Sequence, residues 1–203
     1  MEMEKKEHWE KVYATKDPHE VSWTQEEPTS SLRLIQAAGL PKSASIIDIG
    51  GGDSRLVDYL LNEGYEDITV LDIAANALER AKKRLGTKAA KVTWVVSDIV
   101  DFKPSTKYDI WHDRAVFHFL TSSEHISTYL QIVNETVSRD LILATFSTEG
   151  PLRCSGLDVS QYNTESIAEC FKESFVLGES FYEDHLTPLD TKQNFLFAHF
   201  KPA

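Results

Sequence analysis

The stretch Ser45 to Ser54, SIIDIGGGDS, constrains this chain more than any other. The β-branched run Ile46-Ile47 passes through Asp48 and Ile49 into Gly50, Gly51 and Gly52, and Asp53 and Ser54 then open an amphipathic segment. Branched residues of this kind fit a buried strand. Glycine lets the backbone turn sharply and approach a ligand closely, and Asp53 or Ser54 is placed to cap the helix that follows. The stretch reads as strand, tight turn and helix. A ligand is expected at the carboxyl end of the strand, where open α/β sheets put their sites.

The rest of the chain repeats this alternation. Thr29 to Gly39 carries Leu32, Ile35 and Ala38 at helical spacing and is stopped by Gly39 and Pro41. Arg55 to Glu63 reads as a helix with Leu56, Val57, Leu60 and Leu61 on one side, ended by Gly64. Ile68 to Leu71 is a strand closed by Asp72. Ala74 to Leu85 is a helix whose Glu79, Arg80, Lys82, Lys83 and Arg84 form a solvated face. Val92 to Val96 and Tyr108 to His112 read as strands three and four, Glu124 to Val137 as a helix, and Leu141 to Phe146 as strand five. Strands alternating with helices imply a doubly wound, mostly parallel sheet with helices on both faces. The end differs: Phe175 to Tyr182 and Asn194 to Phe200 read as strands, but the link between them holds no helical pattern. A parallel crossover needs a longer connection, so these two should be antiparallel neighbours.

A length of 203 residues suits one domain over 1–203, with 1–40 as an N-terminal helical and aromatic lid segment. That segment holds Trp9, Tyr13 and Trp23, and the first two, four residues apart, share one face of a helical turn. No apolar run approaches the roughly 18 residues of a membrane span. The start, MEMEKKEHWEK, lacks the apolar stretch of a secretory signal. A cytoplasmic protein without a membrane partner is expected. The net charge of −11 lacks the basic footprint of a nucleic-acid binder and favours cationic or neutral molecules. Cys154 and Cys170 are too few for a disulfide framework and no Cys/His spacing resembles a zinc site, so no metal is expected. Nothing in the sequence specifies an oligomeric state.

Several ligands use a glycine turn after a first strand. The dinucleotide fingerprint requires a small residue where this chain has Arg55, which disfavours a nicotinamide cofactor, and the Gly-Lys-Ser/Thr of a phosphate-cradling loop is absent. A turn that faces the amino-acid part of a nucleoside-bearing ligand needs neither. Asp72 ends the second strand, where a carboxylate accepts both ribose hydroxyls. Asp48, Asp72 and Asp98 thus close three successive strands with acids.

On these residues the chain resembles the class I S-adenosylmethionine-dependent methyltransferases over nearly its whole length. DIGGG is similar to their first motif, VLD to their second and SDI to their third. The resemblance implies a Rossmann-like sheet of order 3-2-1-4-5-7-6 and S-adenosyl-L-methionine as cofactor, with S-adenosyl-L-homocysteine as product. It implies that Asp48 and Gly50 to Gly52 line the methionine moiety, Asp72 the ribose, and Asp98 with Ile99 the adenine. Ser54, where many members have a further glycine, and Ile73 join these contacts. The start WEKVYATKDPHEVSW, the stretch WHDRAVFHFL and the segment ATFSTEGPLRCSGL look like a small single-domain subgroup of mostly unassigned substrate. The N-terminal W-x-x-x-Y pattern is also distantly similar to protein-lysine methyltransferases such as the citrate synthase lysine methyltransferase. In such proteins the aromatics fold over cofactor and acceptor, which implies cofactor contacts for Trp9, Tyr13 and Trp23.

Methyl transfer from a sulfonium is an in-line displacement, so the protein chiefly supplies position and a dry site. Asp113 and Arg114 follow strand four at the expected sheet edge and are read as bordering the methionine end and the acceptor, with His118 as the candidate base. His112, inside the strand end, is read as a core histidine, and His185, in the terminal link, as solvent-facing. Pro151 to Tyr162 is read as a loop over the same edge, bringing Arg153, Cys154 and Tyr162 near substrate. The expected function is methyl transfer to a small-molecule acceptor. A protein lysine is the alternative acceptor, and a non-catalytic cofactor-binding module the alternative of another class.

Overall fold

A computed structural model describes residues 2–203. At its centre lies a sheet of β1 (Ser45–Ile49), β2 (Asp67–Asp72), β3 (Val92–Val96), β4 (Tyr108–Arg114), β5 (Val137–Phe146), β6 (Phe175–Leu186) and β7 (Lys192–Pro202). The spatial order is 3-2-1-4-5-7-6. Strands β1 to β5 pair in parallel, and β7 runs antiparallel to both β5 and β6. Six helices accompany the sheet: α1 (Glu2–Thr15), α2 (Thr29–Ala37), α3 (Leu56–Asn62), α4 (Ala75–Leu85), α5 (Ser123–Thr136) and α6 (Thr164–Phe171). None of the described helices is long and apolar enough to cross a membrane.

The alternation of side chains along each strand sorts the core into two layers. Ile46, Ile68, Val70 and Ile110 pack with Leu34, Ile35, Leu56 and Leu60 of α2 and α3. Ile47, Ile49, Trp111 and Leu143 face the other way, onto Tyr129, Val133, Ile167 and Phe171 of α5 and α6. Because the sheet is covered on both faces, the central strands read as continuous apolar runs.

Some elements differ from the sequence expectation. Helix α5 passes into β5 without a connecting residue, so β5 begins at Val137 rather than Leu141. Helix α6 has only two buried apolar positions, Ile167 and Phe171, one turn apart. It is defined instead by a capping box: Asn163 Oδ1 accepts the Ser166 N–H at 2.8 Å and Ser166 Oγ accepts the Asn163 N–H at 3.0 Å. Burying Phe171 contributes about 1.5–3 kcal/mol. Strand β6 continues to Leu186, which carries His185 into the sheet, where it is buried with Nε2 2.7 Å from the carbonyl oxygen of Ser22. It does not face solvent. The segment after β5 forms a short hairpin, Arg153-Cys154 against Leu157-Asp158.

Candidate active site

The carboxyl ends of β1 to β4 open into a cleft of about 670 Å³. At its centre the glycine turn is held by contacts that leave no room for side chains. A Cβ on Gly51 would lie 2.5 Å from Asp48 Oδ2 and 2.7 Å from Val70 Cγ1, and Gly50, at φ +63°, would strike Val116. Ser54 Oγ accepts the Leu56 N–H at 3.1 Å and starts α3. The far side of the turn is clasped by Arg84, whose guanidinium donates to the Asp53 carboxylate, to the Ser54 carbonyl at 2.7 Å and to Asp58 at 2.9 Å. The basic face of α4 is therefore not merely solvated: Arg80, Lys83 and Arg84 stand on the cleft wall.

Asp72, buried at the end of β2, accepts the Ala74 N–H at 2.8 Å. Burial pushes its carboxyl up to about 7, with Asp48 and Glu10 adding repulsion against the Ala74 hydrogen bond. Tyr13 from α1 lies beside it, and burial and Asp72 together hold its hydroxyl well above the ordinary range. Asp98 spends Oδ1 on the Val100 N–H at 3.2 Å, so one carboxylate oxygen stays unengaged beside Ile99.

The end of β4 separates residues that the sequence placed together. The strand runs on through Arg114, so side chains keep alternating: His112 and Arg114 share the α2 face with Asp48, while Asp113 turns to the α5 face. There Asp113 accepts the Tyr129 hydroxyl at 2.7 Å and the Val116 and Phe117 N–H groups at 2.9 and 3.1 Å. Asp113 thus braces the strand-to-turn corner and does not line the cleft, and burial raises its carboxyl to about 6. His118 also lies behind the wall. Its ring stacks on Phe146 at 4.4 Å, and Nδ1 accepts the Phe146 N–H at 3.1 Å, which puts the proton on Nε2. Burial and the nearby Arg114 depress it to about 3, so it stays neutral and has no free lone pair for a base. Gly52 is covered by Asp72 and Tyr13.

His112, read as a core histidine, is buried yet reaches the cleft wall. It bridges Asp48 and Ser31, with Nδ1 2.7 Å from Asp48 Oδ1 and Nε2 2.8 Å from Ser31 Oγ. Arg114, Trp9, Tyr13, Trp23, Asp48, Gly50, Gly51, Ser54, Asp72, Ile73, Asp98 and Ile99 all line the cleft, as does Cys154, whose thiol burial pushes up to about 11. Arg153 instead pairs with Asp158 in the open, and Tyr162 packs on Phe117 in the core.

The cleft is roofed by aromatic rings. Trp9 sits 5.5 Å from Trp23 and 5.4 Å from Phe119, and Tyr13 lies 6.2 Å from Trp23, ring centre to ring centre. The strap of residues 21–28 that carries Trp23 is fastened through main-chain oxygens: Arg114 Nη1 donates to the Trp23 carbonyl at 3.0 Å and His185 meets that of Ser22. No sequence signal announces this strap, because its partners lie on β4 and β6, far away in the chain.

The family model described as a methyltransferase domain matches residues 46–139. A malonyl-[acyl-carrier protein] O-methyltransferase of Anoxybacillus flavithermus is 33% identical over 108 residues, which are 52% of this chain and 39% of that protein. EEF1A lysine methyltransferase 2 of Mus musculus is 27% identical over 116 residues, 53% of this chain and 47% of that protein. The chain spans less than half the length of these curated relatives. The solved N-methyltransferase NodS of Bradyrhizobium japonicum, in complex with S-adenosyl-L-homocysteine, superposes with a TM-score of 0.73 at 18% identity over 97% of both chains, a likeness of fold. Residues 46–139 thus match the methyltransferase-domain family, and the chain as a whole shares the fold of solved S-adenosylmethionine-dependent methyltransferases. The matched region, residues 46–139, takes in the glycine turn, Asp72, Asp98 and the end of β4. The aromatic roof on α1 and the strap lies outside it.

Proposed function

We propose that the chain is an S-adenosylmethionine-dependent methyltransferase that methylates a small-molecule acceptor. One observation carries this: a single cleft is lined by the glycine turn and by Asp48, Asp72 and Asp98 under an aromatic roof. Its volume suits one nucleoside-bearing ligand and a modest second molecule. The residues fit that ligand. Gly50 and Gly51 present a turn free of side chains to the cleft, Asp72 offers a carboxylate for ribose hydroxyls, and Asp98 keeps an oxygen for an exocyclic amine. We read residues 1–40 as the lid of one domain spanning 1–203.

When bound, S-adenosylmethionine supplies a methyl group already attached to a good leaving group. The chain's own part is to bind, align and dry. His112 fixes the rotamer of Asp48 beside the turn, Asp72 and Asp98 set the nucleoside end, and Trp9, Trp23 and Phe119 exclude water over the reacting end. The similarity to a lysine methyltransferase supports a second reading, with a protein lysine as acceptor. The closed roof supports the small molecule, and the net charge of −11 disfavours nucleic acid.

Thermal denaturation with S-adenosylhomocysteine tests the cofactor, since a ligand of the native state raises the midpoint. No shift at millimolar ligand rejects the proposal. Methyl-labelled cofactor offered with a small-molecule panel and a cell lysate separates the acceptors: labelled metabolite supports the first reading, labelled protein the second. Tight binding without turnover of either would mark a non-catalytic module.

A further inference from the structure

Arg114 stands on the cleft wall among Trp23, Phe119 and Cys154, and most of its hydrogen-bonding capacity is unused. Nη1 donates to the Trp23 carbonyl, but Nε and Nη2 are buried without a partner. No carboxylate is within ion-pair distance of it among the described residues. The acids that act on it through space, Glu183 and Asp48, are committed elsewhere, to the Ser30 hydroxyl and to His112. The guanidinium instead lies over the Phe195 ring, 4.8 Å from its centre, which holds the plane in place without neutralising it. Burial lowers its pKa to about 10, so it is still charged at neutral pH. A buried cation with no counter-ion is costly unless something pairs with it. Among the cations on this cleft wall, Arg114 is set apart by the burial of two unpaired guanidinium nitrogens.

We propose that Arg114 is a carboxylate-binding residue of this cleft, its Nε and Nη2 taking the two oxygens of a ligand carboxylate side by side. The planar fork formed by these two N–H groups matches that geometry. The carboxylate belongs to the acceptor or to the amino-acid end of the cofactor, and either source presents the same chemistry. Both unpaired groups are buried beside the nitrogen that the Trp23 carbonyl holds. The proposal rests on the methyltransferase reading for the identity of the ligand, but not for the charge.

Titration calorimetry of wild type, Arg114→Gln and Arg114→Lys with S-adenosylhomocysteine and with 5′-methylthioadenosine, which lacks the amino-acid end, tests it. Thermal denaturation of each variant confirms folding. If the cofactor is the source, Arg114→Gln weakens S-adenosylhomocysteine at least tenfold, leaves methylthioadenosine within twofold, and Arg114→Lys recovers part of the loss. If the acceptor is the source, S-adenosylhomocysteine binds the variants unchanged. Propionate, malonate or benzoate then raises the midpoint of the saturated wild type but not of Arg114→Gln, and the corresponding amides have no effect on either. Unchanged S-adenosylhomocysteine affinity together with no Arg114-dependent response to any carboxylate overturns the proposal. If S-adenosylhomocysteine fails to bind even wild type, the methyltransferase reading falls, and the carboxylate panel on the free protein still decides the role of Arg114.

Discussion

Glu10 of α1 accepts the backbone N–H of Ala75 at 2.8 Å, so the carboxylate that caps α4 comes from another helix. Its second oxygen takes the Asn76 N–H at 3.0 Å, and Asn76 Nδ2 returns a bond to the Glu10 carbonyl at 3.3 Å. Helix α4 has no acid in its first turn and no capping side chain of its own. Docking of α1 and completion of α4 are thus one event. Glu10→Ala should cost about 1 kcal/mol, as lost caps do, and should raise amide exchange over Trp9 to Tyr13 and weaken S-adenosylhomocysteine. Exchange unchanged in α1 would contradict the coupling.

Asp72 should show stability and binding moving in opposite directions. Its carboxyl is held at about 7 against an ordinary value of 3.8. The native state then keeps a proton that the unfolded chain has released, so stability falls as pH rises between these values and is flat above. Asp72→Asn removes that loss. At pH 8 the variant should melt higher than wild type while binding S-adenosylhomocysteine more weakly, because the ribose acceptor is gone. A melting point no higher than wild type at pH 8, or unchanged affinity, would count against this account.

Gly51→Ala would force a methyl group into Asp48 and Val70. Overpacking of this kind costs about 1–3 kcal/mol, and the displaced Asp48 takes His112 with it. Reduced melting temperature together with loss of S-adenosylhomocysteine binding is expected. Calorimetry on the folded fraction separates the two effects.

His118, buried behind the cleft wall, should act on stability. It is depressed to about 3 from an ordinary 6.5, so the unfolded chain binds its proton first and stability is lost as pH falls through that window. His118→Gln should flatten the fall in melting temperature between pH 6.5 and 5 and lower the melting temperature at pH 7. Turnover should stay within a few-fold of wild type. A hundredfold loss of turnover in a folded His118→Gln protein would return it to the active site.

The elements bounded by strong local signals were legible: Ile46 to Asp53, Val92 to Val96 and the paired β6 and β7 all followed from periodicity and punctuation. Helix α6 was not, because two buried residues a turn apart make a weak pattern and its capping box is a matter of geometry. At the site, the acids at strand ends were legible from position alone. Asp113 and Arg114 were not separable, since one more residue of strand decides which face each side chain takes. The strap and the anchoring of α1 rest on contacts between residues far apart in the chain, through main-chain atoms that every residue type carries.

Arg114 and His185 grip the strap by the carbonyls of Trp23 and Ser22, oxygens that survive any substitution at those positions. Substitutions in this strap that spare the buried Val21 and Pro28 can therefore reshape the roof while these two tethers persist. The cleft combines a ceiling whose tethers do not depend on its own side chains with a floor fixed by the glycine turn and the strand-end acids.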